Sequence, residues 1–138
     1  TMINNYTKNN LLPPPEKKKY SKEHLLLLIY IYYYKSILSI GDIQSLLEPL
    51  TQRYFHKDGE MNMQSIYEEV FSLEKEQVEK MKQDVTEKYE TASCIFPEAE
   101  AEDQEFLRIF SFICLLSFDV YVKKQVIEKL IDELPKKS

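Results

Sequence analysis

Two glycines, Gly41 and Gly59, are all that 138 residues contain, and this scarcity does most to limit what the chain can fold into. Strand-and-turn architectures and phosphate-cradling loops need positive φ or close backbone approach, which glycine supplies most cheaply. Long runs rich in Leu, Ile, Glu and Lys fill the space instead. They predict a mainly helical, all-α chain, long enough for one domain or for a small domain with a helical extension.

Taken in order, the chain opens on a short polar helix with Thr1 as its N-cap and Ile3 and Tyr6 on one face. Asn9-Asn10 stops it, because asparagine tolerates the left-handed conformation. Leu11 and Leu12 then form an extended segment that tucks into the core, and Pro13-Pro14-Pro15 forces an extended path. Glu16-Lys17-Lys18-Lys19 makes an exposed tip, from which Tyr20 brings the chain back. Ser21 is read as the cap of a buried helix from Leu25 through Ile37, and Ser39 as the cap of another that runs from Ile40 to a break at Pro49. Lys57-Asp58-Gly59 is a turn signal.

Asn62 is expected to cap a long helix ending near Tyr89. On it Ile66, Val70, Leu73, Gln77, Met81 and Val85 recur at steps of four and three, close to a heptad, with Glu and Lys over the remaining surface. A stripe so narrow on a helix of about 28 residues requires a partner, either another helix of the chain or the same helix in a second subunit. These six positions are the candidate dimerisation residues of a homodimer. Ala92–Glu105, with Pro97 and a run rich in Glu and Asp, reads as a loop, and Asp103 is the expected cap of the next helix. Phe106–Phe118 is nearly all apolar and is expected to be the most buried element of the body. Asp119 is expected to end or kink it before an amphipathic closing helix from Val122 to Leu134.

Several function classes lose support on composition. Cys94 and Cys114 have neither CxxC spacing nor a neighbouring histidine, and His24 and His56 fall in no ligand spacing, so no metal site and no cofactor is expected. Cysteine usage points to a reducing cytoplasm. The apolar runs are too short or too interrupted for a membrane span, and residues 1–10 are too polar for a signal peptide. No nucleophile–base arrangement stands out, which argues against an enzyme. Charge is uneven. Residues 1–35 hold six lysines against Glu16 and Glu23, a balance of +4, which leaves −9 for the remainder of a chain of net charge −5. A basic end on an acidic body suits a polyanionic partner.

Residues Met2–Leu47 resemble the second half of the MerR-type winged-helix domain. That pattern is a tyrosine-bearing recognition helix, Leu-Leu and prolines, a basic wing, Tyr-Ser, an apolar helix and a Leu-Ser-hydrophobic helix. It stands here as INNYTKNNLLPPP, KKKYSKEH and ILSIGDIQSLL. The stretch also resembles a bacterial domain family of unknown function that shares the motif. The first likeness implies a short β wing, a partial winged-helix segment over residues 1–58 that lacks its first helix, and a helical oligomerisation or effector body over 59–138. It also implies a transcriptional regulator that binds duplex DNA as a homodimer. Asn4 and Asn5 would contact base edges, Lys8, Lys17, Lys18 and Lys19 phosphates, and Tyr6 and Tyr20 would add hydroxyl donors. Asn4-Asn5-Tyr6 stands where that family carries Arg-Tyr-Tyr, and Asn10 where it carries glycine. The alternative is a helical protein–protein interaction module that keeps the frame without binding DNA.

Overall fold

The computed structural model describes residues 2–135, among which there are five helices and no strand. Helix α1 spans Met2–Lys8, α2 Lys22–Tyr34, α3 Ile40–Tyr54, α4 Met63–Ser93 and α5 Ala101–Asp132. The cap expected at Thr1 lies outside the described residues. The chain divides into two compact units, Thr1–Phe71 with Ile127–Ser138, and Ser72–Val126, so that α4 and α5 each contribute to both.

The first unit builds its core around the bend that carries buried Leu11 and Leu12. Asn10 takes φ 59°, which ends α1 and turns the chain into Leu11 and Leu12. The two leucines lie at a bend that follows α1, and they enter different clusters. Leu11 joins Tyr30, Ile31, Leu38, Ile43, Leu47 and Ile131, while Leu12 joins Leu26, Leu27 and Met63. Tyr6, Leu50 and Tyr67 pack against both clusters and tie them together. The caps read from the sequence are present at three helices. Ser39 Oγ accepts from Asp42 N at 3.1 Å, Asn62 Oδ1 accepts from Ser65 N at 2.9 Å, and Ser21 Oγ accepts from His24 N at 3.4 Å.

Five expectations are corrected. The loop expected over Ala92–Glu105 is shorter, because α4 runs to Ser93 and α5 begins at Ala101, so Asp103 lies inside the first turn of α5 and does not cap it. The short β wing does not form: Glu16 and Lys19 make one isolated antiparallel bridge and no strand extends from it. Pro13–Pro15 has no N–H to give a ladder on one side, and on the other Ser21 already caps α2. Pro49 does not break α3, which continues to Tyr54. Its missing N–H removes a single helical bond, and Leu46, Leu47 and Leu50 around it are held by the core. Asp119 does not end the last helix: its Oδ2 accepts from Lys123 Nζ at 3.0 Å, an i,i+4 pair within a 32-residue α5. Finally, Phe106–Phe118 is not the most buried element. Phe106 and Phe118 are each 63% exposed, and no residue of that stretch is buried. Apolar character all round a helix requires neighbours all round it. Within 72–126 one other helix, α4, is at hand.

The tyrosine-rich end of α2 gives the first unit a measurable signature. Burial, then the nearby Tyr34 and Tyr67 phenols, pushes Tyr30 above the ordinary tyrosine value, and burial does the same to Tyr34. In an unfolded chain both ionise near pH 10. Between that point and the raised folded values the unfolded state holds fewer protons, so stability is intact below about pH 10 and falls as pH rises through the folded pKa values. The urea midpoint is therefore expected to drop on going from about pH 9 to about pH 11, and to drop less in a Tyr30→Phe variant.

Candidate functional site

The positively charged end of the chain is organised by two histidines. His24 is 1% exposed, at the third position of α2. Its Nδ1 accepts from Ser21 N at 3.0 Å, completing a capping box in which histidine replaces the usual Glu or Gln. With Nδ1 an acceptor, the hydrogen sits on Nε2, which donates to Pro13 O at 3.1 Å and Pro14 O at 3.3 Å. Tyr20 and Phe55 meet the ring edge-on at 5.2 and 4.9 Å. One side chain thus joins the proline segment, the start of α2 and the end of α3. Ser21 Oγ also lies 2.8 Å from Nδ1. The pair is a cap, because the hydroxyl oxygen receives the His24 N–H and the ring is enclosed and committed to the proline carbonyls.

His56, just past α3, holds the other side of the turn. Its Nε2 is 3.1 Å from Glu16, its Nδ1 3.0 Å from Glu23, and its backbone N donates to Glu23 Oε2 at 2.7 Å. Glu16 is the residue that opens the lysine tip. Glu16 N donates to Lys19 O at 3.1 Å and Lys19 N to Glu16 O at 2.8 Å, which closes a two-residue hairpin. Its central residues, Lys17 and Lys18, sit at φ 49° and 64°. Positive φ at both is the condition of the turn that suits a hairpin, usually met by Asn-Gly. For lysine it costs about 1 kcal/mol or more per residue. Three consecutive lysines are held on this strained turn, all exposed. Glu16, Lys19, Tyr20, Ser21, His24 and His56 line a cleft of about 170 Å³ at its base.

Asn4, Asn5 and Lys8 are exposed on α1, and Asn5 O accepts from Asn9 Nδ2 at 2.8 Å. Tyr6 is half-buried and anchors α1 to both core clusters. Lys17, Lys18 and Lys19 share the hairpin, and Tyr20 leans on His24 with 43% of its surface exposed. On α4, Ile66 is half-buried, while Val70, Leu73, Gln77, Met81 and Val85 are exposed. His24 and His56 carried no role in the sequence reading. Ser21-x-x-His24 has the spacing of a capping box and was the available signal. Nothing local marks His56.

Among the described residues no group of three or more His, Cys, Asp or Glu side chains is placed to hold a metal ion, and no helix is long and apolar enough to cross a membrane. Neither a curated protein nor a solved structure matches the chain. Of the two families that the opening stretch resembles, the comparison supports the one of unknown function. Residues 1–70, which carry α1 to α3, the lysine hairpin and both histidines, match the domain of unknown function DUF1836, and the chain belongs to that family.

Proposed function

We propose that the first unit binds duplex DNA in transcriptional control, in the manner that its likeness to MerR-type readers implies. The observation that carries this reading is the hairpin at Glu16–Lys19. The chain accepts positive φ at two lysines in order to project three adjacent ammonium groups, and His56 and His24 fix the base of the turn. Strain retained at a charged, exposed position is a pointer to use. Ammonium groups of this kind suit backbone phosphates, while Asn4 and Asn5 on α1 have the donor–acceptor pair that matches an adenine edge. A second reading, docking of a protein partner, is favoured by a different feature. Tyr32 and Tyr33 pair edge-on at 5.9 Å on α2, and both are exposed.

Titration against mixed-sequence duplex DNA at several salt concentrations separates the two. Binding is expected at low salt and is expected to weaken with rising salt. Replacing Lys17, Lys18 and Lys19 together by alanine is expected to weaken it by about tenfold or more and to lower the salt slope by about 2 to 3. Absence of binding at low salt, or an unchanged slope in the triple variant, removes the DNA reading.

A further inference from the structure

The second unit, residues 72–126, lacks a core of its own. Among its described residues Ala92 alone is buried. On one side α5 leans on α4: the Phe112 ring meets Tyr89 at 5.4 Å, and the Arg108 guanidinium lies 5.9 Å from the Tyr89 ring centre. A different side of α5 carries its own apolar seam. Phe106, Ile109, Ile113, Leu116 and Val120 follow one another at steps of three and four, the spacing of a two-helix seam. Phe110 and Tyr121 widen it. Apart from half-buried Leu116, these residues are between 47% and 63% exposed. With about 150–250 Å² for a whole aromatic side chain, the seam offers roughly 600–800 Å², close to what one partner contributes to a standard stable interface.

We propose that a second copy of the chain covers this seam, with the two α5 helices antiparallel and Ile113 on the two-fold axis. Charge placement selects this occupant and this direction. The first turns of α5 carry Glu102, Asp103 and Glu105, whereas Lys123 and Lys124 lie beyond the apolar stretch. A parallel pair would set like charges side by side at both ends. An antiparallel pair with Ile113 against its own counterpart brings Glu102 to Lys124, Phe106 to Val120 and Phe110 to Leu116, each of these contacts occurring twice by symmetry. A shallow groove formed by Ile113, Leu116, Ser117, Val120, Tyr121 and Lys124 receives the phenylalanine end of the other helix. The pairing stands apart from the DNA reading and is measured without nucleic acid.

Light scattering after size exclusion on the full chain at roughly 50 µM is expected to give twice the 16.5 kDa monomer mass. Ile113→Arg sets two like charges on the axis and is expected to give monomer, with helical circular dichroism retained because the position is exposed. Lys124→Glu is expected to weaken the dimer at least about tenfold, and Glu102→Lys added to it to restore the dimer. A monomeric wild type overturns the proposal, as does a dimer that survives Ile113→Arg. A dimer that dissociates with Met81→Glu on α4 but not with Ile113→Arg assigns the contact to the other helix and also overturns it. A charge swap without rescue overturns the antiparallel register.

Discussion

His24→Ala is expected to destabilise the first unit by about 3–5 kcal/mol, a large share of the roughly 5–15 kcal/mol that keeps a domain folded. Three losses add. The ring vacates a site enclosed by Tyr20 and Phe55, leaving a cavity. Pro13 O and Pro14 O lose their donor, and Ser21 N loses its acceptor. Pro13 and Ser21 are half-buried and Pro14 is exposed, so water replaces part of what is lost and each orphaned group costs less than the roughly 1–3 kcal/mol of a fully buried one. Urea unfolding followed by far-UV circular dichroism measures the effect, and two controls interpret it. Ser21→Ala removes the cap alone and is expected to cost about 1 kcal/mol. His24→Gln restores the usual capping-box residue without reaching the prolines, and should fall between the two. If His24→Ala costs no more than Ser21→Ala, the histidine is a helix cap and does not tie the proline segment to α2.

That knot also shows where local sequence information ends. The Ser21, Ser39 and Asn62 caps were legible because capping is decided within one turn, by a short polar side chain followed by helix-forming residues. The left-handed stop at Asn10 and the burial of Leu11 and Leu12 were legible for the same reason. His24 and His56 act over distances of 10 residues or more, on Pro13 and Pro14 and on Glu16 and Glu23, and no periodicity encodes such pairings. The β wing was expected because the likeness to MerR-type domains implies one. The prolines on one side leave the lysine hairpin nothing to pair with, and it stops at a single bridge.

The misjudged burial of Phe106–Phe118 has a different origin. Hydrophobicity states how much surface a helix must cover but not what covers it. No interior surrounds Phe106–Phe118: α5 finds α4 on one side and presents its seam on another. The same limit applies to α4. Its heptad-like stripe from Ile66 to Val85 is real as a pattern, and most of it remains exposed. The pattern fixes the need for a neighbour and leaves the neighbour's identity to geometry and charge.

Ile131→Asp is expected to unfold the first unit at temperatures where the wild type is stable, with a loss of about 4 kcal/mol or more. Ile131 is 5% exposed and sits in the cluster of Leu11, Tyr30, Ile31, Leu38, Ile43 and Leu47, with Ile127 packed alongside. None of those neighbours offers a cation, so the carboxylate would be buried unpaired or would have to take up a proton, and either is costly. The conservative Ile131→Val removes one methylene group and is expected to cost about 0.5–1.5 kcal/mol, which separates charge from volume. The consequence reaches the family match. Residues 1–70 supply α1 to α3, yet their core takes Ile127 and Ile131 from the far end of α5. A fragment of residues 1–70 is therefore expected to melt earlier and less cooperatively than the full chain, with Ile43 and Leu47 losing their cover. Amide hydrogen exchange of α2 and α3 is the direct measure. Protection in the fragment equal to that in the full chain would show that the closing turns of α5 are an addition to the domain and no part of its core.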